Sequence, residues 1–382
     1  MMPVYAGAEN IISSLGYGID ENMTNIIKGN TGIINNNSGV FCPQPLPLSL
    51  VDHRRVDDDF SRAHHKHYTP LEKMMIASIQ ASLGHCNIDI TSEETLIIIT
   101  TTKGNIDLLS NTNESGFGRE RIYLSAMAGQ IASFFNNPNT PLVISNACVS
   151  GVVGIVYAHR LILSGRYKNI VVAGGDLVTE FVVSGFLSFQ SLSMMPCRPF
   201  DKSRDGLSLG EGCGTMILSS DKDIFTDTPF KVLGGAVSND ANHISGPSRT
   251  GEGLQIAIRH ALKFSGLKPA DIDSISAHGT ATDYNDEMEA KAFSSAGLEN
   301  VPINSYKGYI GHTLGAAGVI EAAVTLQSMR KNMLIASAGY KDHGVTTSIR
   351  VISKTRQKNL RTALKTASGF GGSNAAIIFQ KI

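Results

Sequence analysis

The feature that most limits the fold of this chain is a set of short runs that are apolar at every position. Leu96-Ile97-Ile98-Ile99-Thr100-Thr101-Thr102 is the plainest. A strand with one wet face alternates polar and apolar residues, whereas an unbroken apolar run suits a strand covered on both faces. Residues 141–145, 169–173, 214–218, 231–237, 272–277 and 375–379 read the same way. Between them lie helical patterns over 70–83, 149–163, 254–264, 286–296 and 316–329. That alternation predicts an α/β protein with largely buried sheets. No Pro/Ser linker, low-complexity tract or charge block divides the chain.

A weak internal echo refines the expectation. Asn146-Ala-Cys-Val-Ser-Gly-Val-Val-Gly opens a small-residue helix after a strand, and Gly311-His-Thr-Leu-Gly-Ala-Ala-Gly-Val opens another. Each then leads to a Gly-rich turn and an apolar strand, Glu211-Gly-Cys-Gly-Thr-Met-Ile-Leu and Phe370-Gly-Gly-Ser-Asn-Ala-Ala-Ile-Ile-Phe. The pattern predicts a duplicated α/β unit, with halves over 1–225 and 226–382.

Charge excludes some functions. Lys and Arg number 33 against 33 Asp and Glu, which argues against nucleic acid as the main ligand, because phosphate neutralisation needs a basic excess. The start, MMPVYAGAENIISSLG, lacks the basic n-region of a signal peptide. The uncharged stretch 122–158 is interrupted by Asn136, Asn137, Pro138, Asn139 and Asn146, so no membrane span is expected. The five cysteines (Cys42, Cys86, Cys148, Cys197 and Cys213) are scattered without a CxxC pair, so metal-ligand spacing is absent and a cytoplasmic protein with reduced thiols is expected.

Chemistry is expected at three places. Cys148 lies between a strand and a small-residue helix, where the helix dipole favours a thiolate and free N–H groups can receive an oxyanion. The dipole supplies at most about 2 kcal/mol, so a catalytic cysteine there needs a histidine. His278, in Ser276-Ala-His-Gly-Thr-Ala-Thr-Asp, and His312, in Gly311-His-Thr-Leu-Gly, both sit in Gly-bounded, non-helical settings. Each alone reads as a structural histidine; the two together with Cys148 read as a site. His53, His64, His65, His67 and His85 stand in polar surroundings and read as surface.

Five motifs carry a resemblance. They are Asn146-Ala-Cys148-Val-Ser-Gly; Cys197-Arg-Pro-Phe-Asp-Lys-Ser-Arg-Asp-Gly-Leu-Ser-Leu-Gly-Glu-Gly; Ala277-His278-Gly-Thr-Ala-Thr-Asp-Tyr-Asn-Asp286; Lys307-Gly-Tyr-Ile-Gly-His312-Thr-Leu-Gly-Ala-Ala-Gly-Val-Ile-Glu321; and Ser368-Gly-Phe370-Gly-Gly-Ser-Asn374. In this order and over nearly the whole chain, the sequence resembles the Cys-His-His elongating β-ketoacyl-acyl-carrier-protein synthases of the thiolase superfamily. The resemblance implies a thiolase-like fold of two duplicated halves with stacked mixed sheets and buried helices. It implies decarboxylative condensation of an acyl group on Cys148 with malonyl-acyl-carrier protein, in fatty-acid or specialised-metabolite synthesis. His278 and His312 would stabilise the enolate, Lys307 would keep them neutral, and Glu321 would hold Lys307. The N–H groups of Cys148 and Phe370 would form the oxyanion hole, and Phe370 would gate the acyl pocket. Thr280 and Thr282 would bind the carrier's phosphopantetheine arm, with Phe186, Ser245 and Gly371 at the substrate pocket. Asp286 and the pair Asp240 and His243 read as structural. No permanently bound cofactor or metal is implied. A homodimer is expected, with a heterodimer open.

The sequence departs from the pattern at Ser373, where relatives usually carry Thr, and at Gln190, where many carry a basic carrier-docking residue. Arg55, Arg62, Lys66, Arg119 and Arg121 are the alternatives for docking. Other readings meet obstacles. A chain-length-factor-like, non-catalytic partner lacks the cysteine that this chain has. A degradative thiolase wants a second reactive cysteine near the C-terminus, and the last here is Cys213. A priming synthase uses Asn where this chain has His312. A cysteine hydrolase stays open on spacing alone.

Overall fold

The computed structural model describes residues 3–60, 67–109 and 116–382. Its first half builds β1 (Tyr5–Ser13), β2 (Thr95–Thr100), β3 (Leu142–Ile144), β4 (Asn169–Asp176) and β5 (Gly212–Ser219). The second builds β6 (Phe230–Asn239), β7 (Ser274–Ser276), β8 (Pro302–Asn304), β9 (Thr362–Gly369) and β10 (Ser373–Lys381). The spatial orders are β1-β5-β4-β2-β3 and β6-β10-β9-β7-β8. The first three strands of each order pair antiparallel and the last three parallel, so both halves have one topology. The duplication read from two glycine-rich segments is therefore a property of the whole sheet order. The sheets are not separate: β1 pairs β6 through Tyr5–Lys231 and Ala6–Phe230, which joins them into one ladder.

The expected helices are present as α1 (Pro70–Leu83), α3 (Ser150–Leu163), α5 (Glu252–Ser265), α6 (Asp283–Ser295) and α7 (Ala317–Arg330), joined by α2 (Leu124–Phe134) and α4 (Glu180–Ser188). The stretch 122–158 divides into α2, β3 and the start of α3, and no helix among the described residues is long and apolar enough to cross a membrane.

Helices α3 and α7 form a central layer touching strands of both halves, while α1 covers the outer face of the first sheet and α5 that of the second. Separate apolar clusters fill the spaces on the two sides of each sheet. The central pair can approach closely because Gly151 and Gly318 meet: a Cβ on Gly151 would sit 2.7 Å from the backbone N of Val319. This contact brings the N-terminal ends of α3 and α7, the two motif-bearing ends, to one place.

Three strands escape the apolar-run criterion, β8 because it is only three residues long. β1 carries Glu9 and Asn10, both buried, with Glu9 Oε1 accepting from Gln327 and Asn10 donating to Ser78. β9 carries Lys365 in its middle, also buried.

Candidate active site

Cys148 stands at the sharp turn between β3 and α3. Ala147 before it has a left-handed φ of 46°, unusual for a residue with a Cβ. Ser150 braces the turn: its hydroxyl donates to Ala147 O at 2.6 Å and receives Asn146 N–H at 2.8 Å. The thiol is buried, and burial pushes it up to about 11 against the opposing pull of Lys307 and Lys103. The helix end favours a thiolate, and desolvation of the buried sulfur works against it, in keeping with the expectation that the dipole alone is not decisive.

His278 follows β7. The two oxygens of Glu289, on α6, accept the N–H groups of His278 and Gly279 at 2.8 and 2.6 Å. Asp286 accepts Thr280 N–H at 3.0 Å and Phe200 N–H at 2.7 Å, which bears out its structural reading. His312 follows the short helix Lys307–Ile310 and is held by its N–H on Ser208 O at 2.7 Å. The imidazoles meet edge to face with centroids 5.1 Å apart, and a ring nitrogen of each lies with Cys148 Sγ in a cluster no wider than 4.8 Å.

The hydrogen bonds fix which nitrogen carries the proton. Leu314 N–H donates to His312 Nδ1 at 3.2 Å, and the Lys307 ammonium lies 3.2 Å from His278 Nδ1 and donates to it. Both Nδ1 atoms are acceptors, so each neutral ring carries its hydrogen on Nε2. Burial, and after it the charge of Lys307, holds both imidazoles well below the ordinary histidine range, hence neutral. His312 Nε2 is buried with no hydrogen-bond partner.

Behind the histidines lies a buried ionic cluster. Lys307 Nζ donates to Glu321 Oε1 at 2.6 Å and to His278 O at 2.6 Å. Lys365 Nζ donates to Glu321 Oε2 at 2.5 Å. The Lys307–Glu321 pair was expected from the resemblance; Lys365 was not, and a lysine within an apolar strand was the available signal. Lys103 is a second omission: in the turn after β2, it lines the cavity beside Cys148 and donates to Thr102 Oγ1 at 2.9 Å.

Two cavities meet at Cys148. One, of about 750 Å³, is mainly apolar and runs along α4, lined by Phe181, Val182, Phe186, Phe189 and Leu109. The other, of about 360 Å³, opens past Thr280, Thr282, Ser245, His243 and Gln190 and reaches both histidines. Phe370, Phe186 and Phe189 line both. Phe370 stacks on Phe186 at 5.7 Å and meets Phe189 edge-on at 5.4 Å, so it stands where the cavities join. Gly371 lies outside this lining: it is exposed, its N–H donates to Ile244 O at 2.7 Å, and its carbonyl receives Asn239. Asp240 and His243 hold their own loop, accepting from Asn242 and Ser248 and from Ser245 and Gly246.

Other expected surface residues are placed differently. His53 is half-buried and bonds Glu211 at 2.9 Å, because Glu211 also gathers the N–H groups of Val51 and Val178 at the root of that loop. His67 and His85 are exposed, and His64 and His65 lie outside the described residues. Of the docking candidates, Arg121 pairs with the buried Glu72, and Arg55 makes two 3.0 Å bonds to Glu21. Arg119 is exposed; Arg62 and Lys66 lie outside the described residues.

Cys148, His278 and His312 together form a donor set that geometry alone would offer to a metal ion. Their surroundings do not fit one. A metal-bound imidazole presents one bare nitrogen and gives its other N–H to an acceptor. Here both Nδ1 atoms receive hydrogen bonds, one from an ammonium, so the protons point inward.

Comparison with known proteins gives the family. The model described as "Beta-ketoacyl synthase, N-terminal domain" matches residues 15–223, and "Beta-ketoacyl synthase, C-terminal domain" matches residues 230–341. The chain belongs to the β-ketoacyl synthase family. Members of this family are acyl-transferring condensing enzymes. A putative mitochondrial 3-oxoacyl-[acyl-carrier-protein] synthase of Schizosaccharomyces pombe is 27% identical over 97% of each chain. A 3-oxoacyl-[acyl-carrier-protein] synthase 2 of Rhizobium meliloti is 32% identical over 68% of this chain and 65% of that one. In fold, the β-ketoacyl synthase of Burkholderia phymatum superposes with a TM-score of 0.87 at 21% identity over all of both chains. A ketosynthase solved with its chain length factor, from Xenorhabdus doucetiae, gives 0.86 at 24% identity over 100% of this chain and 98% of that one.

Proposed function

We propose that this protein carries out decarboxylative Claisen condensation: an acyl group on Cys148 joins the two-carbon unit of malonyl-acyl-carrier protein, giving 3-oxoacyl-carrier protein. The observation that carries this reading is the convergence of two Nε2–H donors on the Cys148 thiol. In loading, Cys148 Sγ attacks the acyl thioester, its proton leaves with the carrier's phosphopantetheine thiolate, and an acyl-Cys148 thioester forms. Malonyl thioester then loses CO2, and the enolate oxygen is held by the N–H groups of His278 and His312. The enolate carbon attacks acyl-Cys148, and with one proton taken up the thiol is restored.

Lys307 supports this by donating to His278 Nδ1, and Glu321 holds Lys307. The N–H groups of Cys148 and Phe370 receive the oxyanion on the acyl carbon; Gly369 lets this loop come close, since a Cβ there would lie 3.2 Å from Cys148 N. The acyl chain occupies the larger cavity against Phe186. The phosphopantetheine arm enters through the smaller one, past Thr280, Thr282 and Ser245, with Gly371 on its outer rim. The arm arrives with the carrier as substrate, and no cofactor is permanently bound. We read the chain as halves 1–225 and 226–382, each incomplete without the other, and as a cytoplasmic homodimer. The short edge strand β3, with all three residues half-buried, favours a partner at that edge.

The test is direct. Incubation with acyl-carrier protein is expected to leave the acyl mass on the Cys148 peptide, and malonyl-carrier protein is expected to release CO2. Acylation at another cysteine, or label kept by Cys148→Ala, overturns the assignment. Light scattering checks the dimer: a 40.8 kDa species alone overturns the homodimer.

A further inference from the structure

The ionic cluster behind His278 contains one cation more than pairing requires. Each oxygen of Glu321 accepts from one lysine, Oε1 from Lys307 and Oε2 from Lys365. The remaining donors of Lys307 go to His278 Nδ1 and His278 O, at 3.2 and 2.6 Å. Those of Lys365 go to the carbonyls of Ser276 and Ala277, the two residues before His278, at 3.4 and 3.2 Å. All three hydrogens of each ammonium are thereby used. Both lysines are fully buried and Glu321 nearly so. A buried lysine is unfavourable unless paired, and one lysine would suffice to pair Glu321.

We propose that Lys365 is a positioning residue for the histidine pair: it clamps the second oxygen of Glu321 and the backbone leading into His278, and it leaves a net positive charge behind both imidazoles. This rests on the condensing function proposed above. The excess charge disfavours imidazolium and so keeps both Nε2–H groups available as neutral donors at acid pH. Other groups face the rings as well. Glu289 and Asp286 approach His278 from α6, and Cys148 lies in front. From the first half, Lys103 and the buried Asp176 lie on the His312 side, Asp176 accepting Gly315 N–H at 2.7 Å. Burial raises Glu289 to about 7 and Asp286 to about 6, so both titrate in the relevant range. The test therefore compares variants in which these two are unchanged.

Three charge states can be made: Lys365→Met leaves the Lys307–Glu321 pair neutral, Glu321→Gln leaves two cations, and the double variant E321Q/K365M restores a single excess cation. The readouts are the titration of His278 and His312 by 15N-histidine NMR and the pH profile of CO2 release from malonyl-carrier protein. In Lys365→Met the imidazoles are expected to titrate about one pH unit higher, and the acid limit of CO2 release to move up by the same amount relative to wild type. The double variant is expected to return the titration to the wild-type position. If Lys365→Met does not fold, the same upward shift is expected between E321Q and E321Q/K365M. Imidazole titrations that stay put, with CO2 release lowered equally at every pH, overturn the proposal. A wild type that releases no CO2 overturns the condensing function instead, and the titrations still decide the part played by Lys365.

Discussion

The two halves of this protein share one strand order and differ in what they load onto it. The register makes the comparison residue by residue. In the first half Thr100 at the end of β2 pairs with Gly174 on β4, and in the second Ser276 at the end of β7 pairs with Lys365 on β9. Thr101 N–H reaches Ile144 O on β3 as Ala277 N–H reaches Asn304 O on β8, so His278 corresponds to Thr102 and Lys365 to Gly174. Gly174 gives α7 room, since a Cβ there would lie 3.2 Å from Ala316 Cα. At the matching place Lys365 reaches Glu321 on the same helix. At its own turn the first half instead places the buried carboxyl of Asp176, which accepts the hydroxyls of Thr101 and Thr102 and the N–H groups of Thr102 and Gly315. One half thus sets an anion behind the nucleophile's turn, and the other sets excess positive charge behind the histidines. The shared topology supplies two converging helix ends, and the proposed chemistry lies in the residues that differ between the halves.

The largest expected effect removes the first half's contribution. Cys148→Ala is expected to abolish acyl loading and lower condensation on the order of 10⁴-fold or more, since the thiol proposed to hold the acyl group is gone. Mass analysis of the acylated peptide and a product assay check it. Decarboxylation of malonyl-carrier protein, which needs only the second half's donors, is expected to survive in this variant.

Removing the second half's contribution reverses that pattern. His278→Ala and His312→Ala are each expected to lower CO2 release about 100- to 1,000-fold while acyl loading continues. A variant that decarboxylates at the wild-type rate removes its histidine from the enolate site. The pH dependence has a definite sign. Lowered histidine pKa values keep the rings neutral as pH falls through 6.5, the ordinary imidazole value, so wild-type CO2 release is expected to show no acid limb there. The resting thiol, raised to about 11, is protonated throughout that range.

The place where the halves touch comes next. Gly318→Ala puts a methyl group into the backbone of α3 at Val152 and is expected to lower stability by about 3 kcal/mol, read from denaturant midpoints. Gly129→Ala is the control: a Cβ there meets nothing within 4 Å, so the helix-favouring change is expected to be neutral or slightly stabilising. Equal losses at both positions contradict the close helix crossing.

Much of this was legible in the sequence, and the two long strands that were missed share a cause. Cys148, His278 and His312 stand out because each sits at a glycine-rich junction beside an apolar run. Lys307 and Glu321 needed the family pattern, because a Lys and a Glu fourteen positions apart are otherwise ordinary. β1 and β9 were missed where a charged residue interrupts the run, Glu9 in one and Lys365 in the other. The strand criterion assumes that charge means solvent, and a buried charge satisfied by a distant partner violates it. Lys365 thus hid both its strand and its place in the site, because Glu321 is adjacent only in the folded chain.

The smallest stability effect is expected at Phe370, where the two cavities join. A fully buried Phe replaced by Ala typically costs about 3–5 kcal/mol. Phe370 is half-buried and has cavity on both sides, so Phe370→Ala is expected to cost about 1–2 kcal/mol, mostly the lost contacts with Phe186 and Phe189. Its kinetic effect follows from position. Gly371 and Gly372 hold left-handed φ values of 81° and 73°, so the loop turns away immediately behind the ring and no side chain props it from that side. In the proposed gating role, swinging the ring would open the larger cavity to an acyl chain, and a long chain would require the larger opening. Truncation is therefore expected to raise the loading rate of long primers relative to short ones, measured as acyl-Cys148 formation across a primer series alongside the melting temperature. A large loss of melting temperature with the length dependence unchanged makes Phe370 a packing residue, and the gate then lies with Phe186 or Phe189, the other aromatic rings that line both cavities.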